Sequence, residues 1–264
     1  MQPRTESAPA RPVQIVDTLA TNASNVTRFV VNGLCEAEGV AAIEQLVRRS
    51  TTEEMWVFIP GSGDAVCQWH ELGDNESSGT DAAYVRVDRA YLGELMRSHA
   101  ELHLYHYHPL AYFDCLADAG CREGAADVAR AAGPDPRLIS DIRFAMPSPS
   151  DIHFMMEATS RFHELRPRDA TVEHWVITPY GRVRYGLTEA GRARFDADKD
   201  SRSQGLYITW VAADALTDES IATFIAAHPG DVAAALGRLT RSLNTANLHV
   251  IHEPREPGVK WGPR

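Results

Sequence analysis

Hydrophobic positions along the chain fall into short runs whose period switches between two and about three and a half. Arg28 to Leu34 (RFVVNGL) reads as a short strand. Cys35 to Ser50 follows with Val40, Ile43, Leu46 and Val47 three and four apart, the spacing of one helical face. Glu53 to Gly63 (EEMWVFIPGSG) predicts a strand stopped by Pro60 and Gly61, and Ala65 to Leu72 predicts its hairpin partner. Ala82 to Val87 is a further strand. Asp88 to Ala100 is a helix with Asp88 as N-cap and Leu92, Leu95 and Met96 turned inward. Glu101 to His108 (ELHLYHYH) returns to alternation. Ser148 to Leu165 is a helix with Ser148 as N-cap, Pro149 at the first helical position and Asp151 at the third.

Thr171 to Leu187 predicts a hairpin turning at Pro179-Tyr180-Gly181, and Gly205 to Ala213 another strand. Two helices follow, the second with Val232, Leu236, Leu239 and Leu243 as an apolar stripe, and the tail from Glu253 is read as extended. Strands and helices mix throughout. The expected fold is α/β (α+β), a mixed β-sheet flanked by helices.

One segment breaks the pattern. Ala111 to Pro147 is rich in Ala, Gly, Asp and Arg and reads as an insertion, with a helix over Arg122 to Gly133. Residues 1–27 read as a disordered or extended leader without the apolar core of a secretion signal. No run approaches the roughly 18 apolar residues of a membrane span. The net charge of −10 disfavours nucleic acid as a partner. None of the four cysteines forms a C-x-x-C pair. Free thiols in a reducing cytoplasm are the expectation, with a local link or minor metal site at Cys115 and Cys121 as the alternative.

The candidate chemistry lies at His106-Tyr107-His108-Pro109. On a strand, residues two apart share a face, so the two imidazoles sit about 7 Å apart along the backbone, close enough to share one metal ion. Asp151 opens the next helix and Glu54 opens an upstream strand. Two imidazoles and one carboxylate make a three-ligand zinc site with an open fourth position. Taken singly, each piece has a plainer reading: polar positions on a half-exposed strand, a capping box, a strand-edge charge. Their joint order favours the metal site. No Walker A motif, dinucleotide glycine pattern, or deaminase H-x-E with P-C-x-x-C occurs.

His-x-His-Pro followed by Ser-x-x-Asp, with a glutamate upstream, resembles the signature of the JAMM (JAB1/MPN+) zinc metalloproteases. The resemblance covers roughly Arg28 to Leu187. It implies a JAMM/MPN-like (cytidine-deaminase-like) core over 28–200, interrupted by the insertion at 111–147; the C-terminal strand and helices over 201–264 lie outside the resemblance and are expected to pack on the core or a partner. It further implies that His106, His108 and Asp151 hold Zn²⁺ and that Ser148 stabilises an oxyanion. Glu54 would be the acid/base, with Glu53 as the adjacent alternative.

The implied activity is cleavage after the C-terminal tail of a ubiquitin-like β-grasp protein in the cytoplasm. The insertion is open to three roles, gating substrates, binding a protein partner or occluding the site, and the C-terminal helices to completing the core, forming a dimer face or docking a partner. Two departures stand out. Tyr107 occupies a position usually held by Ser or Thr, where it is expected to face away from the ligands. The stretch from Pro109 to Pro147 is far longer than the family's loop. The rival readings are a non-catalytic scaffold of the same fold, a zinc hydrolase of small molecules, and a metal-bearing nuclease.

Overall fold

The computed structural model describes residues 29–50, 53–63, 65–74, 87–109, 142, 145–197, 232–243 and 247–254. Among the described residues seven strands form one sheet: β1 (Val30–Asn32), β2 (Glu54–Ile59), β3 (Gln68–Asp74), β4 (Glu101–Tyr107), β5 (Thr171–Thr178), β6 (Gly181–Leu187) and β7 (Leu248–Pro254). Their spatial order is β1-β3-β2-β4-β5-β6-β7. Only β4 and β5 run parallel; every other neighbouring pair is antiparallel. A parallel pair needs a crossover, and here it contains a helix. The mixed sheet with flanking helices is therefore as expected.

Five helices are described: α1 (Glu36–Arg49), α2 (Arg89–Ser98), α3 (Pro149–Leu165), α4 (Glu189–Ala197) and α5 (Val232–Leu243). Their starts follow from local chemistry. The Cys35 N–H donates to Glu38 Oε2 at 3.0 Å, and Asp88 Oδ1 accepts from Ala90 and Tyr91 N–H, both at 3.0 Å. Ser148 and Asp151 cap α3 reciprocally. Helix α1 also carries Glu36 and Glu38 in its first turn and Arg48 and Arg49 in its last, matching the helix dipole.

Helices cover the sheet on both faces. On one, α1 packs Val40, Ile43 and Val47 against Phe58, Trp69, Tyr105, Tyr107 and Trp175. On the other, Leu92, Leu95 and Met96 of α2 and Phe162 of α3 bury Val57, Leu102 and Leu104. Further along that face, Ile152 and Met155 of α3 and Leu236, Leu239 and Leu243 of α5 pack on Val176, Val183 and Tyr185.

Two elements depart from the reading of the sequence. Helix α4 was not anticipated. It starts where Thr188 Oγ1 accepts from Gly191 N–H at 3.0 Å, and it lies so close to the chain before β7 that a Cβ on Gly191 would stand 1.9 Å from the Asn247 carbonyl. The second is β7, expected only as extended chain from Glu253. It begins at Leu248, pairs with β6 along its length and buries Leu248 and Val250 in the same core as α5. The strand expected at Ala82–Val87 (whose residues before Val87 are not described), most of the insertion with Cys115 and Cys121, the strand at Gly205–Ala213, the first of the two closing helices and the 1–27 leader lie outside the described residues. No described helix is long and apolar enough to cross a membrane.

Candidate metal centre

The centre is built on the parity of β4. Leu102, Leu104 and His106 point to the α3 face, while His103, Tyr105 and Tyr107 point to the α1 face. Tyr107 is fully buried against α1, so it faces away from the ligands as expected. His108 lies one residue past the strand, but its N–H still donates to the Ile177 carbonyl at 3.0 Å. That bond carries the β4–β5 ladder onward and returns His108 to the face of His106. Both side chains are buried, at 2% and 5% exposure. Their rings meet edge-on with centroids 5.1 Å apart.

Asp151 arrives from the opposite layer. As the third residue of α3 it is held by the capping box: the Ser148 N–H donates to its Oδ2 at 2.6 Å, and its own N–H donates to Ser148 Oγ at 3.2 Å. The cap aims Oδ2 at both imidazoles, 3.5 Å from His106 Nε2 and 3.9 Å from His108 Nε2. One ligand atom from each of the three residues lies within 4.8 Å of the others. A tetrahedral ion with bonds of about 2.0–2.1 Å spaces its ligand atoms roughly 3.3 Å apart, so a small contraction would seat one.

His106 Nε2 is buried and makes no hydrogen bond of normal length; it faces Asp151 Oδ2 across 3.5 Å, a gap that a shared ion would fill. Charge is arranged to match. Burial pushes His106 down, but Asp151 and Glu53 outweigh it and its pKa stands above the ordinary value. Burial likewise pushes Asp151 up, and His106 and His108 more than reverse this, holding the carboxyl well below the usual range. His106, His108 and Asp151 form a buried group able to bind a metal ion.

The two adjacent glutamates considered for the acid/base role point to opposite faces of the sheet. Glu54 opens β2 as the sequence suggested, but its side chain points to the α1 face, where Oε2 accepts from Trp56 Nε1 at 3.1 Å. Met55 sits directly across from His106 on the neighbouring strand. Two residues further in opposite directions, Glu53 falls across from His108, and its Oε1 is 3.9 Å from His108 Nε2. Glu53 is the carboxylate that reaches the centre, and it is only 9% exposed. The parity of β2 relative to Met55 was the signal that could have chosen between the two.

Ser148 stands beside Asp151 as expected. His153 lies apart, 3.8 Å from Glu157. Behind the centre, Tyr185 presents its ring at right angles to His106, centroid to centroid 6.5 Å, a wall that the sequence did not flag. Comparison with models of known families, with curated proteins and with solved structures returns no match to this chain.

Proposed function

We propose that the chain is a zinc-dependent hydrolase of the JAMM type that cuts after the extended C-terminal tail of a ubiquitin-like β-grasp protein. The observation that carries this reading is the convergence of His106 and His108 from one strand face with Asp151 from a capped helix, at spacings a tetrahedral ion fits. The order of these residues, and Ser148 three before Asp151, match the family signature.

His106, His108 and Asp151 hold the ion. Zinc bound there supplies Lewis acidity and lowers the pKa of water toward about 7. Glu53, outside the ligand set and across from His108, accepts a proton from the attacking water and returns it to the leaving amine. The Ser148 hydroxyl already accepts from the Asp151 N–H, so its own hydrogen is left to donate to a developing oxyanion. The substrate tail is extended, the form in which a peptide can add to a sheet edge and reach a buried centre. The cytoplasm, which holds such conjugates, is the setting this reading requires.

The test is metal analysis of the purified protein together with cleavage of a ubiquitin-like fusion, with and without chelator. The expected result is about one equivalent of zinc, lost when both His106 and His108 are changed to Ala, and cleavage that chelator abolishes. Zinc retained in the double variant would overturn the metal assignment. Zinc bound with no cleavage of any fusion would leave the scaffold or small-molecule reading in its place.

A further inference from the structure

A second cluster of chemically capable side chains lies at the far end of the sheet. A cavity of about 350 Å³ opens between the second half of α3, the start of α4 and the ends of β5, β6 and β7. Thr171, which lines it, pairs with Glu101, five positions before His106 on β4. At about 3.4 Å per residue that is roughly 17 Å along the strand from the metal centre.

Three nitrogen-bearing side chains face the cavity. Arg192 Nη1 lies 3.0 Å from His163 Nε2 and 3.3 Å from its Nδ1. Guanidinium has donors only, so the imidazole accepts from Arg192 and is neutral. Burial and Arg192 both push the His163 pKa down, consistent with that state. Among the described residues no carboxylate lies within ion-pair distance of Arg192, although Glu189 lines the same cavity and Asp196 acts on the neighbouring His163. His249 lies over Gly186, where an added Cβ would stand 2.7 Å from its ring, and neither of its ring nitrogens has a hydrogen-bond partner among the described residues. Thr159 and Thr171 add hydroxyls to the lining.

A cavity of this size suits a small molecule. The Arg192 guanidinium with imidazole and hydroxyl donors beside it suits an acceptor-rich, negatively charged group, set against the single carboxylate of Glu189. We propose that this cavity binds a small anionic ligand, a phosphate or carboxylate group, with Arg192, held by His163, as the charge partner and His249 and Thr171 as hydrogen-bond donors. Glu189, exposed at the rim, opposes the ligand's charge and sets an upper limit on affinity. Because α3 carries Asp151 near one end and His163 near the other, an occupant here touches the helix that presents a metal ligand.

The experiment follows the histidine ring resonances of the full-length protein during titration with inorganic phosphate and, separately, with acetate. Saturable shifts of His163 and His249 are expected with one or both. Response to phosphate alone identifies a phosphate-bearing ligand; response to acetate as well identifies the wider carboxylate class. Arg192→Gln should weaken binding about tenfold or more, as loss of a charge-assisted contact does. Glu189→Gln, at an exposed position, should tighten it, and this arm decides the matter if Arg192→Gln fails to fold. Shifts confined to His106 and His108 would mean the anion binds at the metal centre only, and no saturable shift of His163 or His249 at tens of millimolar would mean no site; either overturns the proposal. So would unchanged affinity in both variants.

Discussion

Exchanging one oxygen for nitrogen at Glu53 and at Glu54 separates two adjacent carboxylates that the fold points to opposite faces. Glu53 lies 3.9 Å from His108 Nε2 and is not among the metal-capable ligand atoms. Glu53→Gln keeps the shape, removes the proposed base and should leave metal content unchanged. A positioned acid/base contributes about 10²–10⁴ in rate. At about 1.36 kcal/mol per factor of ten, the barrier should rise by roughly 2.7–5.5 kcal/mol.

Glu54→Gln is different. The glutamine carbonyl can accept the same Trp56 Nε1–H bond now made at 3.1 Å. The expected stability change lies within about 0.5 kcal/mol, and the rate should change by no more than about twofold. Initial rates of chelator-sensitive cleavage, beside metal content by mass spectrometry, give both numbers. Loss of activity in Glu54→Gln with activity kept in Glu53→Gln would refute the assignment. Loss of metal in Glu53→Gln would make Glu53 a ligand and refute its role as the shuttle.

Two further outcomes test the frame that holds the centre. Gly39→Ala would put a Cβ 2.1 Å from Trp69 Cε2, in a ring packed between Phe58 and Tyr105. Overpacking costs about 1–3 kcal/mol against roughly 1 kcal/mol of helix propensity gained, so urea unfolding should show net destabilisation. Trp69→Val should relieve the clash, since the buried indole N–H has no hydrogen bond to lose, and a stabilised Gly39→Ala would contradict this packing. His70, hydrogen-bonded to the Tyr91 hydroxyl at 2.7 Å, has its pKa pushed down from 6.5 to about 4 by burial and then by the nearby His99. The unfolded chain therefore binds the extra proton between those values, and stability falls as pH drops from about 6.5 to 4, by about 3 kcal/mol. Urea midpoints in His70→Gln should be flatter across that window by most of this amount, and an unchanged slope would rule out His70 as the source.

Much of this architecture was legible because local rules and packing agree. Asp88 and Ser148 were read as N-caps, and both cap in the fold. The alternation in ELHLYHYH correctly assigned His106 and His108 to one face and Tyr107 to the other. The misses lie where the signal is non-local or weak. Helix α4 buries only Gly191 and Phe195, too little apolar periodicity to stand out. Strand β7 has only Leu248 and Val250 as an inward pair before His252 and Glu253 blur the alternation, and its identity depends on β6 beside it. The parallel pairing of β4 with β5 joins segments separated by the insertion and α3, which no local pattern encodes.

The choice between Glu53 and Glu54 lies between these cases. Both residues precede an apolar run, and the strand begins at Glu54, which makes it the natural pick from the sequence. What decides between them is a pairing fact: Met55 stands opposite His106, so odd positions of β2 share the face of even positions of β4. Alternation was visible in both strands separately: Met55, Val57 and Ile59 in one, Leu102, Leu104 and His106 in the other. Neither strand alone tells which of its faces meets the other's. A strand's core face can still be read from its larger aliphatic residues, and His106 follows Leu102 and Leu104 at the same parity. Extending the β2 series two residues past Met55 arrives at Glu53, and extending the β4 series four residues past Leu104, through His106, arrives at His108. The centre thus forms where two core stripes run out of hydrophobic residues at the same end of the sheet, and α3 closes that end by setting the capped Asp151 over it.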